Sequence, residues 1–173
     1  MGYTHYWRQQ RDFTDTEWQE LTRLTKLITN DGVLDQTLST VEFNIDNEQI
    51  CFNGVGDNGH ETFIITKKKR PKADYEEQDA YDKQGAFEFC KTAHKPYDKY
   101  VVAVLCALHN MKIKLDEEKP PVLYIRSDGN TADWTEGLFH AVRSTREEEM
   151  LCPIRDCLTL SYVDYIDREK KTG

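Results

Sequence analysis

The sequence predicts an α+β fold, in which an antiparallel or mixed sheet carries about three packed helices. Two observations support this class. Short segments with the alternation or β-branched composition of strands occur in both halves of the chain, and three other stretches have the apolar spacing or capping residues of helices. The chain has 173 residues, of which 38% are hydrophobic, so it can bury one core but hardly two. We therefore expect a single domain over residues 1–173.

The predicted strands are short and are separated by turn residues. The first is rich in aromatic residues, and Tyr3, His5 and Trp7 fall on the same face of it. The next three form a meander, and a later strand precedes an Asp-Gly turn. We expect the first strand, the meander and the later strand in one sheet, with a further edge strand near the C-terminus. The predicted ranges are 2–9, 41–45, 49–53, 61–67, 122–127 and 158–163.

The predicted helices have different signals. A capping box at residues 14–17 begins the first helix, whose apolar face ends near residues 30–32. The second contains residues 101–108, which have too little polarity for a surface helix, so we expect it at the centre of the core with Pro96 near its first turn. The third begins at Asp133, with Glu136 three residues later. The helical spacing thus predicts one buried and two amphipathic helices.

Composition narrows the functional classes. The net charge is −8 and the isoelectric point is near 5.2, which disfavours binding of duplex nucleic acid through a concentrated basic face. An odd number of cysteines, with neither a signal peptide nor a long apolar run, indicates a reduced cytoplasm and no membrane role. Residues 68–84 mix basic and acidic runs without apolar periodicity, so we expect an exposed insertion loop.

A glycine-rich segment, residues 53–63, is the densest group of functional residue types. Its Gly-x-Gly-x-x-Gly spacing matches the dinucleotide-binding fingerprint, but a β-branched run follows where that motif requires a helix. Protein kinases place such a loop between strands, yet their catalytic signatures are missing from this sequence. We interpret the segment as a glycine-rich hairpin that either binds a ligand or is an ordinary turn. Since His60 and Glu61 are adjacent on a strand, at most one enters a given pocket.

A second dense segment spans residues 87–98. Cys90 and His94 lie four residues apart, so on a helix they would share a face as a thiolate–imidazole pair or as two metal ligands. No second short-spaced pair completes a metal site, and free cysteines are usually buried, so we expect neither metal nor cofactor nor a reactive thiol. Lys91, Thr92 and Lys95 at a helix start would instead form an anion site suited to phosphate.

Three segments together carry a resemblance to a known family: residues 2–7 (Gly-Tyr-Thr-His-Tyr-Trp), 52–63 and 89–98. The chain resembles a family of small, uncharacterised proteins from bacteria and their phages, over roughly residues 1–110 and the turn at 127–129 with Trp134. Residues 67–84 and the tail after Met150 look longer than the family pattern. The resemblance implies where a site lies but implies no reaction. It also implies the cytoplasm of a bacterial host cell, and small phage proteins of this kind are similar in style to anti-defence proteins that sequester nucleotide-derived signals.

These patterns lead to three functional hypotheses. The first is a non-catalytic pocket for a phosphate-bearing nucleotide or ADP-ribose-like signal, with homo-oligomerisation left open. The second is a phosphodiesterase or nucleotide hydrolase that uses His60 or His94 as general acid–base, with Asp98 or Glu61 orienting it. The third is an acidic interaction protein that blocks a host partner. The expected ligand-binding residues are Tyr3, His5, Trp7, Asn53, Gly54, Gly56, Asp57, His60, Lys91, Thr92, Lys95 and Tyr97.

Overall fold

The computed structural model of the protein describes residues 2–30, 39–71, 86–115, 122–147, 149–154 and 159–161. Helices and strands alternate irregularly along the chain, and all described strand pairs are antiparallel, which confirms the predicted α+β class. The elements are β1 (Thr4–Gln9), α1 (Asp15–Asn30), β2 (Val41–Ile45), β3 (Gln49–Gly54), β4 (Phe63–Thr66), β5 (Ala86–Lys91), α2 (Asp98–Leu115), β6 (Leu123–Ser127), α3 (Thr131–Thr145), β7 (Glu149–Leu151) and β8 (Thr159–Ser161).

Six of the eight described strands form two three-stranded sheets, so the prediction of a single sheet was wrong. The meander forms one sheet in the order β2-β3-β4, and the N-terminal strand lies at the centre of the other in the order β5-β1-β6. The strand β5 was missed because the spacing of Cys90 and His94 favoured a helical interpretation. Its aromatic residues Phe87 and Phe89 instead suit a strand, and β5 pairs with β1 along its whole length.

The C-terminal strand prediction was right in its approximate position and wrong in its partner. β8 pairs with β7 in a separate two-stranded ladder, with Leu160 opposite Met150, rather than at the edge of a larger sheet. Residues 162 and 163, the end of the predicted strand, lie outside the described residues. A three-residue strand is too short for its alternation to indicate which strand it pairs with.

The helices begin where their capping residues allow. The predicted capping box of α1 is present, because the backbone N–H of Thr14 donates to Glu17 Oε1 over 2.8 Å and that of Glu17 donates to Thr14 Oγ1 over 3.2 Å. In α3 the corresponding pair is Asn130 with Asp133, so the helix begins at Thr131 and not at Asp133 as predicted. Asp133 is the third residue of the helix and closes the capping box with Asn130, and this role explains its position.

The core surrounds α2, as its apolar sequence predicts. Residues 101–108 are all buried, and α2 packs against both α1 and α3. Aromatic side chains from the two sheets complete this core; for example, the rings of Trp7 and Phe63 lie 5.3 Å apart between centroids. No helix in the described ranges is long and apolar enough to cross a membrane. The arrangement places the start of α2 beside the start of α3, where a groove forms.

Residues 67–70, a basic run that begins directly after β4, form several contacts between elements. Lys67 forms an ion pair with Asp15 at the start of α1, and Arg70 forms one with Glu88 on β5. The backbone N–H of Lys69 donates to Asp12 Oδ1 over 2.7 Å. These contacts connect the end of β4 to neighbouring elements, whereas the sequence predicted an exposed loop from residue 68 onwards. Of the predicted insertion loop at 68–84, residues 72–84 lie outside the described residues.

The capping box of α1 generates a prediction about stability and pH. Burial favours the neutral acid, but hydrogen bonds from Arg11 and Thr14 outweigh it and lower the pKa of Glu17 from 4.5 to about 2. The carboxylate therefore stabilises the fold above pH 4.5, and its contribution is lost as the pH falls towards 2. Glu17→Gln should reduce the free energy of unfolding at pH 7 by about 1.5–3 kcal/mol. Urea denaturation at pH 7 and pH 3 measures both effects, and a difference between variant and wild type that does not shrink at pH 3 would contradict this account.

Candidate ligand-binding groove

The turn between β5 and α2 holds an unusual backbone conformation. Ala93 and His94 have φ angles of 51° and 57°, in the left-handed region that non-glycine residues seldom adopt. The backbone N–H groups of Thr92 and Ala93 both donate to the carbonyl oxygen of Tyr3, over 3.1 and 3.2 Å. Two consecutive left-handed residues cost about 1–3 kcal/mol each, so the surrounding contacts must hold them. The consequence is a fixed orientation for the His94 side chain.

His94 presents an aromatic face to solvent. Its ring stacks on the buried ring of Tyr3, with 3.7 Å between centroids and 24° between planes, while the side chain itself is exposed. Burial, with the nearby carboxylate of Asp98, raises the pKa of Tyr3 above its usual value. Tyr3 is therefore a neutral platform beneath His94, and the outer face of the imidazole is available to a planar ligand.

A groove of about 300 Å³ opens beside this stack, between the first turns of α2 and α3. Side chains of both charges border the groove. The lysines come from the β5–α2 turn and from α2, and the carboxylates come from α2 and α3. The two helices also direct their N-terminal dipoles to this region, which adds partial positive charge. The lining residues are His94, Lys95, Pro96, Asp98, Lys99, Val102, Asp133, Glu136 and Gly137.

The charged groups of the groove differ in how firmly they are held. Lys95 Nζ donates to the carbonyl oxygen of Asp57 over 2.7 Å, which links the groove to the glycine-rich segment. Lys99 Nζ lies 4.0 Å from Glu136 Oε1 and over the ring of Tyr100. The Lys99 side chain is 14% exposed and that of Glu136 is 80% exposed. Lys99 is thus a partly desolvated cation, which attracts an anion more strongly than a fully hydrated lysine does.

A chain of hydrogen bonds supports the groove from below. His5 is fully buried, and its Nε2 lies 2.6 Å from Asp98 Oδ1 while its Nδ1 lies 2.9 Å from Ser127 Oγ. Thr92 Oγ1 donates to the same Asp98 oxygen over 2.6 Å. Asp98 Oδ2 accepts no hydrogen bond from the described residues and therefore stays available at the groove. This chain of hydrogen bonds connects β6, β1, the β5–α2 turn and α2 at one point.

The donors around Ser127 decide the direction of these bonds. Its Oγ accepts from the backbone N–H of Gly129 over 2.9 Å and from Trp134 Nε1 over 3.1 Å. Both lone pairs of the hydroxyl oxygen are then used, so its proton must be donated to His5 Nδ1. His5 consequently carries its proton on Nε2 and donates it to Asp98. A Ser-His-Asp series of this kind resembles a catalytic triad in composition only, because the serine oxygen has no lone pair left for attack.

Cys90 lies on the other side of the turn and is unsuited to covalent chemistry. Its side chain is fully buried and its Sγ donates to the carbonyl oxygen of Glu61 over 3.4 Å. Burial raises the pKa of the thiol to about 12, so almost no thiolate exists at neutral pH. Cys90 is on β5 and His94 is in the turn, so the shared helical face considered from sequence does not exist. In the part of the chain that the structure describes, no group of three or more His, Cys, Asp or Glu could hold a metal ion.

The glycine-rich segment is closed by its own hydrogen bonds. The side chain of Asn53 accepts from the backbone N–H of Gly54 and His60, over 2.8 and 3.1 Å, and donates to the carbonyl oxygen of His60. Three further loop N–H groups donate to backbone carbonyls: those of Val55, Asn58 and Gly59. Few donors are therefore left for a phosphate, although Gly56 does have a positive φ of 56°. The segment is a well-formed turn that contacts the groove through Asp57.

The structure brings together only some of the residues that sequence patterns selected. Lys95 lines the groove, and so do His94 and Asp98 of the hydrolase hypothesis. Tyr3, His5 and Thr92 support it from beneath. The other residues do not line it: Trp7 and Tyr97 are buried in the core, Asn53, Gly54 and Gly56 shape the loop, Lys91 lies along the backbone of Gly2, and His60 is exposed beyond the loop.

Four contributors were missed as site residues: Lys99, Ser127, Asp133 and Glu136. Asp133 and Glu136 were assigned only to the start of a helix, and Ser127 to the end of a strand. Lys91, Thr92 and Lys95 were placed at a helix start, but α2 begins only at Asp98, so Lys91 ends β5 and Thr92 and Lys95 lie in the turn. A signal was present for Lys99, since a lysine one residue after Asp98 follows the predicted anion-binding segment.

The hydrogen-bond chain predicts the tautomer of His5. Its neutral ring should carry the proton on Nε2, because Nδ1 accepts from Ser127. Long-range ¹H–¹⁵N correlation spectra distinguish the two tautomers directly. Ser127→Ala should lower the free energy of unfolding by about 1–3 kcal/mol, since it leaves buried donors unpaired. A proton found on Nδ1 in the wild-type protein would refute the assigned direction of the chain.

The glycine-rich turn gives a second prediction, based on two glycines with different constraints. A Cβ on Gly54 would lie 2.0 Å from the carbonyl oxygen of Asn58, whereas a Cβ on Gly56 would meet nothing within 4 Å. Gly56→Ala should therefore cost only the left-handed strain of about 1–2 kcal/mol, and Gly56→Asn less. Gly54→Ala should cost clearly more, about 3 kcal/mol, because the backbone has to move. Thermal and urea denaturation of the three variants tests this order, and equal losses for Gly54→Ala and Gly56→Ala would exclude it.

Comparison with known proteins leaves the groove as the main guide to function. No protein-family model matches the chain. Searches of curated proteins and of solved structures likewise find no significant similarity. The function therefore has to be inferred from the chemistry of the groove and its supporting residues.

Proposed function

We propose that the protein binds a phosphate-bearing nucleotide or an ADP-ribose-like signal in this groove and holds it without converting it. One observation supports the proposal most strongly. A solvent-facing imidazole, two lysines and three carboxylates lie together in one groove of about 300 Å³. This volume is at the lower end for small-molecule sites. A nucleotide-like ligand offers a complementary group to each of these side chains.

The individual contacts follow from the chemistry of the side chains. The open face of His94, supported by Tyr3, stacks on a nucleobase. Lys95 and Lys99 bind the phosphate oxygens, with the helix dipoles adding to the attraction. Asp98 Oδ2 and the carboxylate of Asp133 accept hydrogen bonds from ribose hydroxyls, as acidic residues do in dinucleotide sites. Three carboxylates against two lysines favour a ligand with one or two phosphate charges over a triphosphate.

Binding without turnover is supported by the state of the candidate catalytic groups. His5 is buried and engaged on both ring nitrogens, and Asp98 already accepts from His5 and Thr92 through one oxygen. Neither His60 nor His94 has a carboxylate partner within the described ranges, so nothing there orients either as a general base. The resemblance to small phage proteins suggests a role for such binding: removal of a nucleotide-derived signal from the host cytoplasm.

A ligand panel tests this function. The protein is titrated calorimetrically with cyclic dinucleotides, nucleoside monophosphates and ADP-ribose isomers, then denatured so that the bound compound can be recovered and identified by mass spectrometry. We expect one class to bind and to return intact. A recovered product would support the hydrolase hypothesis instead, and absence of binding across the panel would leave the acidic interaction protein as the better explanation.

Substitutions then locate the ligand. Lys99→Ala and Lys95→Ala should each weaken binding by about 1.5–3 kcal/mol, the usual value for a hydrogen bond to a charged group. Lys68→Ala is the matched control, since Lys68 is an exposed lysine outside the groove. Circular dichroism establishes that all three variants fold. Equal affinities for wild type, Lys95→Ala and Lys99→Ala would remove the phosphate role from these residues.

A further inference from the structure

The sheet β5-β1-β6 has a second face, opposite the one that packs on the core. Along β1, His5, Trp7 and Gln9 point inward and are buried, so the intervening side chains point outward. The strand register places their neighbours from β5 and β6 on the same outer surface. We call this surface the aromatic face, and it consists of Tyr6, Arg8, Phe87, Phe89, Tyr124 and Arg126.

The aromatic face is arranged in two regular rows across the three strands. In the first row Tyr6 lies between Phe89 and Arg126, and in the second Arg8 lies between Phe87 and Tyr124. Each row therefore contains two aromatic rings and one guanidinium. The rings contact one another, since Tyr6 stacks with Phe87 at 6.1 Å between centroids and Arg8 lies 5.1 Å above Phe87.

The exposure of these side chains is unusual for a purely structural sheet. Phe89 is 53% exposed and Tyr124 is 45% exposed, and Arg126 is also exposed. Isolated exposed apolar residues are common, but four aromatic side chains on one continuous surface indicate an interaction site. The rings of Tyr6 and Phe87 are half-buried, and their planes are inclined by 22° to each other.

Local charge identifies the kind of partner. The protein as a whole carries a net charge of −8, yet the aromatic face has two arginines. Lys91, opposite Thr4 in the next row, adds a third basic residue. Two carboxylates lie at that end: Asp128, which accepts from the Tyr6 hydroxyl over 3.3 Å, and Glu61, which accepts from the backbone N–H of Lys91 over 2.7 Å. Positive charge concentrated among exposed rings, on an otherwise acidic molecule, complements a polyanion whose bases can stack.

We propose that the aromatic face binds single-stranded nucleic acid by stacking bases on Phe89 and Tyr124 and pairing phosphates with Arg126 and Lys91. In one common RNA-binding module, aromatic residues on the open face of a four-stranded antiparallel sheet stack two or three bases of a single strand in this way. A duplex hides its base faces and offers only phosphates, which three basic residues hold weakly. This surface is independent of the groove, because inward and outward residues of β1 serve different sides of the sheet.

Fluorescence anisotropy of the full chain with labelled oligonucleotides tests the proposal. Single-stranded RNA and DNA of about 12 nucleotides, within the usual size range of such sites, are compared with the duplex of the same sequence. We expect binding of the single strands and at least tenfold weaker binding of the duplex. Equal binding of the duplex, or no binding of either single strand at low salt, would overturn the proposal.

Matched variants assign the binding to the face. Phe89→Ala and Tyr124→Ala should each weaken single-strand binding about fivefold to a hundredfold, the loss expected for one stacked base. Arg126→Ala should reduce the slope of log K against log salt by about 0.7, the value for one phosphate on a single strand. Ile64→Ala is the control, because Ile64 is 44% exposed on the other three-stranded sheet and should leave binding unchanged. Wild-type affinity in both aromatic variants would overturn the proposal, as would a change only in self-association, which would identify the face as a protein interface.

Discussion

The hydrogen bonds that meet at His5 hold the parts of the site in one arrangement. They join a central strand to the neighbouring strand through Ser127 and to the start of α2 through Asp98, across separations of 122 and 93 residues. Because the His5 ring is fully buried, each unmade bond to it would leave a buried polar group without compensation. The left-handed turn at Ala93 and His94 is tolerable because Thr92 is fixed at the same carboxylate. These hydrogen bonds thus determine the positions of His94 and Asp98 in the groove.

The site and the fold differ in how far they could be predicted from the sequence. Local signals were sufficient for α1, whose capping box spans four residues, and for α2, whose continuous apolar run requires burial. The strand β5 was missed because the four-residue spacing of Cys90 and His94 is compatible with a helix, although such a spacing also occurs by chance. The pairing with β1, which makes this segment a strand, is non-local. Propensity is a weak guide when a partner strand lies some eighty residues away.

The groove depends on contacts that no single segment of the sequence reveals. Lys95, in the segment at residues 87–98 that the sequence singles out, lies in the groove, but the carboxylates opposite it come from α3. Asp133 has an obvious local role as a capping residue, and nothing in its immediate sequence indicates a second role. The glycine-rich segment gave the stronger pattern, yet Asn53 uses most of its polar groups to close the turn. A residue pattern shows which chemistry is present, and tertiary contacts decide where it is directed.

The alternation of β1 has a consequence for how this protein can change. His5 faces the interior and Tyr6 faces outward, so a shift of β1 by one residue would exchange their positions and expose Trp7. A single-residue insertion or deletion in this strand would therefore abolish the support of the groove and the order of the aromatic face in one event. Substitutions can alter either side separately, but changes in length cannot. The two surfaces are coupled by geometry even though no side chain belongs to both.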